Sequence, residues 1–188
     1  MTASIGEGKF MGLWSGKAHL GQVGGHVALV QDSFIRPSDT DQYAIGDAIT
    51  DSVSAATALE WTVGRVRGGT GIIATALLIM GSAQATKLDS HLLIFSATPT
   101  VPHDNDAPAI TDAEALTLVG VVDFGGTPDI TNPASGVLGN VVYAQRSLDI
   151  VFECAATSKK LYGFLIAQNT YTPVTVETFA VTLGVLQD

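Results

Sequence analysis

From residue 26 onward, runs of β-branched and aromatic residues alternate with clusters of Gly, Pro, Asp, Asn and Ser. The punctuation returns about every 10 residues, a spacing that leaves room for strands and turns and little for helices. Residues 26–36 form a β-type run that stops at Pro37, and 37–41 is a turn cluster. Residues 43–49 read as a short strand interrupted by Gly46-Asp47. In 58–67, Trp61, Val63 and Arg65 fall on one face and Thr62 and Val66 on the other. The apolar run 71–80 reads as a buried central strand, and 92–97 as another. A brief strand is expected at 120–124, then two at 137–145 and 148–154 joined through Arg146-Ser147. In the second of these, Ile150, Phe152 and Cys154 face one way and Asp149 and Glu153 the other. Strands at 160–169 and 174–186 complete the set.

One segment breaks the pattern. Thr111 followed three residues later by Glu114 is a capping-box signature, so 111–118 is expected to hold a short helix. A run of about eight to ten strands with such turns argues for a β-sandwich or barrel. At 188 residues this fits one domain, with no repeat, heptad or linker to divide it. We place that domain at residues 26–188.

Residues 1–25 differ. Seven glycines surround Phe10, Met11, Leu13 and Trp14. Glycine resists regular structure while the apolar side chains favour burial. Two readings fit: a first hairpin of the domain, or an N-terminal arm that docks on a partner through Phe10, Met11, Leu13 and Trp14. The second is carried forward.

Charge narrows the partners. The net charge is −9, and the nine Lys and Arg residues form no block. A phosphate backbone or an anionic bilayer is bound by clustered cations, so neither nucleic acid nor membrane is expected as a partner. Hydrophobic residues make up 46% of the chain and charged ones only 14%, against a usual charged share of about 25%. A surface so poor in charge points to self-association. Cys154 is the only cysteine, which excludes an intrachain disulfide and fits synthesis in a reducing cytoplasm. The first residues carry no secretory pattern, and the longest apolar run, 72–80, is too short for a membrane helix.

Residues that carry chemistry are sparse. The four histidines, His19, His26, His91 and His103, are scattered, with no His-Glu-x-x-His and no nucleophile elbow. Residues 64–71 resemble a phosphate loop but lack its Lys-Ser/Thr ending, so a hairpin turn is the better reading. His103-Asp104-Asn105-Asp106 has closely packed oxygens, yet lacks the glycine and distal Glu of a calcium loop; a solvated turn between two prolines is preferred. Asp39, Asp41, Asp47 and Asp51 read as turn formers, Cys154 as a small buried hydrophobe, and Trp61 as core. No enzyme, cofactor or metal site is expected.

Four segments resemble virion structural proteins of tailed bacteriophages. The first is 35–49, Ile-Arg-Pro-Ser-Asp-Thr-Asp-Gln-Tyr-Ala-Ile-Gly-Asp-Ala-Ile. The others are 95–106, then 111–114 leading to 118–122, then Leu161-Tyr162-Gly163 with the tail 183–188. Together they span about residues 27 to 188, and none is catalytic. The resemblance implies an all-β, single jelly-roll-like β-sandwich of the head decoration or cement type. It would sit on the capsid surface, bound to the major capsid protein and to itself as a homo-oligomer, a trimer before a dimer. Arg36, Asp39 and Asp47 would then be structural, Arg36 pairing with Asp39 or Asp47 to pin the turn. Two other readings stand beside it: a head-fibre base or tail protein, and a carbohydrate-binding sandwich using Trp61 or Trp14.

Overall fold

The computed structural model describes residues 26–82, 85–125, 128, 130–131 and 141–187. The proposed arm, with Phe10, Met11, Leu13 and Trp14, lies outside the described residues, as do 137–140 of the first strand expected after the long loop. Within the described residues the chain is nearly all β. Its strands are β1 (His26–Ile35), β2 (Ala48–Ile49), β3 (Leu59–Thr62), β4 (Thr70–Met80), β5 (Ser90–Phe95), β6 (Leu118–Asp123), β7 (Ile130–Thr131), β8 (Val141–Glu153), β9 (Lys160–Ala167) and β10 (Thr178–Gln187). One helical turn, α1 (Asp112–Ala115), starts at a capping box in which Thr111 and Glu114 satisfy each other's backbone N–H groups.

Two antiparallel sheets face each other as a sandwich. The first has the order β1-β10-β4-β8-β7. The second has the order β2-β9-β5-β6, with β3 pairing the same edge of β9 as β2 does. Inward residues of both sheets, among them Trp61, Ile73, Leu78, Leu92, Phe152, Leu165 and Val181, make one continuous core. Inward and outward residues alternate because successive side chains of a strand point to opposite faces.

The outer faces of the sheets differ. On the second sheet, Leu93, Phe95, Phe164 and Ile166 form a separate cluster closed by Val101 from the following loop. On the first sheet, the register aligns outward residues in rows across four strands. One row is Val27, Leu186, Ile72 and Val151; another is Ser33, Ala180, Ile79 and Val142. Val27, Leu29 and Val151 on this face are 65%, 74% and 71% exposed.

Several sequence expectations need correction. Residues 141–153 are one strand, not two joined through Arg146-Ser147. Both halves run along β4, and the register passes from Thr75↔Arg146 to Ile73↔Ile150. Ser147, Leu148 and Asp149 therefore oppose a single residue, Ala74, in a bulge where Ser147 and Asp149 take positive φ. The polar residues that read as a turn are a kink within a ladder. The run in β4 is central in its sheet but buried on one face only: Ile73, Leu78 and Met80 are buried, while Ile72, Leu77 and Ile79 are half-buried. Residues 64–69 form no hairpin, because β3 and β4 belong to different sheets; the loop crosses between them.

Candidate functional site: the buried Arg36 network

Arg36 follows the last residue of β1, and Pro37 ends the strand behind it. Its backbone N–H donates to Glu177 O at 3.0 Å, which ties the strand end to the segment leading into β10. Its side chain is fully buried. Nε donates to Tyr43 OH at 2.9 Å, Nη1 to Asp39 O at 2.7 Å, and Nη2 to Asp39 Oδ1 at 2.6 Å and Asp104 Oδ2 at 3.0 Å. A guanidinium carries five N–H donors, and these bonds engage most of them. The same group lies 5.3 Å from the centroid of the Tyr43 ring, within cation–π range.

Asp104 completes the network. Its Oδ1 accepts from Tyr43 OH at 2.7 Å and from Thr50 N at 2.9 Å. Backbone bonds hold its loop against β2: Asp104 N to Ser52 O, Asn105 N to Ala48 O, and Ala48 N to Asp106 O. The segment 103–106 is a turn, as expected, but Asp104 is buried and not solvated. His103 and Asp106 do face solvent, with Nδ1 and Oδ2 3.4 Å apart.

Asp39 sits beside Arg36 at the surface end of the network. Asp47 lies elsewhere: its Oδ2 accepts from Ala44 N at 2.6 Å and pins the turn at Gly46, whose φ of +97° suits glycine.

A second buried group adjoins the first. Tyr43 and Tyr171 form an antiparallel bridge, with Tyr43 N donating to Tyr171 O at 2.9 Å. Tyr171 OH lies 2.9 and 2.8 Å from the two carboxylate oxygens of Glu177, and Ser82 Oγ donates to Glu177 Oε1.

The electrostatics follow from burial and pairing. Burial works against the Arg36 charge, but the bonds to Asp39 and Tyr43 and the nearby Asp104 outweigh it, and its pKa is raised. The Arg36 hydrogen bond holds Asp39 below the ordinary carboxylate value. Burial raises Tyr43, with Asp104 adding to the effect. Burial also raises Glu177, against the opposing bonds from Ser82 and Tyr171.

The arrangement binds chain to chain. Both carboxylate oxygens of Asp104 and all three guanidinium nitrogens of Arg36 already have protein partners. Among the described residues no group of three or more His, Cys, Asp or Glu is placed to hold a metal ion. The Cys154 thiol is buried and its pKa raised by burial, which suits a packing role. Trp61 is 1% exposed and its Nε1 donates to Val181 O at 3.1 Å, so its ring faces the core. No described helix is long and apolar enough to cross a membrane.

Sequence reasoning missed Tyr43, Asp104, Tyr171, Glu177 and Ser82 as one assembly. Tyr43 and Asp104 stand in the segments 35–49 and 95–106, but their meeting depends on a loop returning to β2. Comparison with protein-family models and with curated proteins finds no match to this chain.

Proposed function

We propose that this chain is a non-enzymatic structural protein of a tailed-bacteriophage virion, one that decorates or cements the capsid surface through contacts with the major capsid protein and with copies of itself. The observation that carries this reading is the strand order. With the two-residue strands β2 and β7 set aside and β3 taken beside β9, the runs β1-β10-β4-β8 and β3-β9-β5-β6 interleave early and late strands in both sheets, which supports a jelly-roll reading of the sandwich. Double-sheet jelly rolls recur in viral capsid and lectin domains.

The Arg36 network supports the capsid branch. Two segments that resemble virion proteins, 35–49 and 95–106, meet there, and their charged residues bond one another. A shell protein needs its loops held in fixed positions, and a buried, hydrogen-bonded ion pair does that. The lectin branch loses its described candidate, because Trp61 offers no exposed ring for sugar stacking.

The test is co-sedimentation of the purified chain with capsids of a tailed phage whose genome encodes it, alongside a glycan array. Saturable pelleting with capsids and a blank array support the proposal. No pelleting, with specific glycan binding, overturns it in favour of a carbohydrate-binding module.

A further inference from the structure

The outer face of the β1–β10–β4–β8 sheet differs chemically from the rest of the chain. The protein carries a net charge of −9. Yet across the four rows that start at Val27, Leu29, Gln31 and Ser33 the one charged residue is Arg146, on β8; the exposed Asp149 in the β8 bulge and Glu153 at the end of β8 add charge only along that strand. The remaining positions are aliphatic, small or uncharged polar. The opposite sheet closes its own outer cluster with Val101, so an open apolar face is not general to this fold.

We propose that this face is covered by the same face of a second copy of the chain, packed sheet against sheet. The inference rests on the reading of the protein as self-associating and names the surface responsible. Two bodies of like charge repel wherever their charged surfaces meet, so a face this poor in charge is where two copies approach at least cost. The face is also suited to such packing. Gly184 lies in its middle, with Leu29 Cδ2 3.4 Å from where a Cβ would stand, so Leu29 leans over the bare glycine. Stacked sheets pack about 10 Å apart through such interdigitating side chains. Four strands about 4.8 Å apart and about 30 Å long give roughly 600 Å² in projection. Side chains raise the accessible area above that figure, toward the ~800 Å² per partner of a stable interface. Face-to-face pairing gives a two-fold dimer, in place of the trimer that the sequence resemblance favours.

Two measurements on the full chain test it. Val27→Cys introduces an accessible thiol at the rim of the face, and the native Cys154 is buried. Its maleimide labelling should slow about tenfold or more on passing from dilute to concentrated protein, as mass action fills the dimer. A rate independent of concentration overturns the proposal: a fast one means an open face, a slow one means cover by the chain's own remaining residues. In sedimentation equilibrium, Leu29→Lys should weaken the dimer at least tenfold, while Leu116→Lys, at the exposed end of α1, leaves it unchanged. If Leu29→Lys associates like the wild type, the surface is wrong and self-association stands. If the wild type is monomeric at every concentration and on capsids, the self-association reading falls as well.

Discussion

Asp104 Oδ2 meets Arg36 Nη2 at 3.0 Å across 68 residues of chain, and both side chains are essentially excluded from solvent. The contact joins the end of β1 to the loop after β5. Removing Asp104 leaves the buried Arg36 with Asp39 as its one carboxylate partner and strips Tyr43 OH and Thr50 N of their acceptor. Asp104→Ala should therefore cost about 3–5 kcal/mol in urea unfolding. Asp39, whose side chain is 34% exposed, should cost about 1 kcal/mol or less on change to Asn. Equal losses for the two variants would contradict this account of the network.

Glu177 and Asp39 should respond to pH in opposite senses. The Glu177 pKa is raised above 4.5 by burial, so the stability it contributes is complete below that value and is lost as pH rises through the folded pKa. Glu177→Gln should gain on the wild type as pH climbs from about 4.5 toward neutrality. The Asp39 pKa is lowered below 3.8 by Arg36, so its contribution is present above that value and is lost as pH falls through the folded pKa. Asp39→Asn should then lag the wild type at neutral pH and converge with it in acid. Thermal melts across pH that show parallel curves for wild type and Glu177→Gln would refute the first half.

Val176 holds φ of +52° in the connection before β10, a conformation costly for a β-branched residue, and its side chain is 53% exposed. Val176→Gly relieves that strain and gives up little burial. We expect a stabilisation of about 0.5–1.5 kcal/mol by urea titration. A loss of stability would mean that the side chain packs against something the exposed position does not reveal.

Tyr143 is 2% exposed and its hydroxyl has no hydrogen-bond partner among the described residues; burial and the nearby Asp89 charge push its pKa up to about 12. Removing an unpartnered buried hydroxyl relieves its desolvation cost. Tyr143→Phe should be neutral or stabilising by up to about 1 kcal/mol. A loss beyond that would show that the hydroxyl bonds something in solution.

The strand pattern was legible because alternation and turn residues are local signals. The helix at Asp112–Ala115 was legible for the same reason, since Thr111 and Glu114 satisfy each other within one turn. What the sequence hid was non-local. Arg146-Ser147 reads as a turn in isolation, and only pairing of both flanks with β4 makes it a bulge. Residues 64–69 resemble a hairpin, and only the sheet order reveals a crossing. For the candidate site, Arg36 and Asp39 are three residues apart and were paired from sequence. Asp104 and Glu177 come from distant loops, and their burial depends on packing that no local motif encodes.

The proposed role on the capsid surface requires this chain to be present in large numbers on each particle. Quantitative mass spectrometry of purified phage particles from a strain carrying the gene tests it most directly. The expected copy number is comparable to that of the major capsid protein, as closed symmetric oligomers spread over a shell require. Absence from the particles, or only a handful of copies as for a tail component, would contradict it.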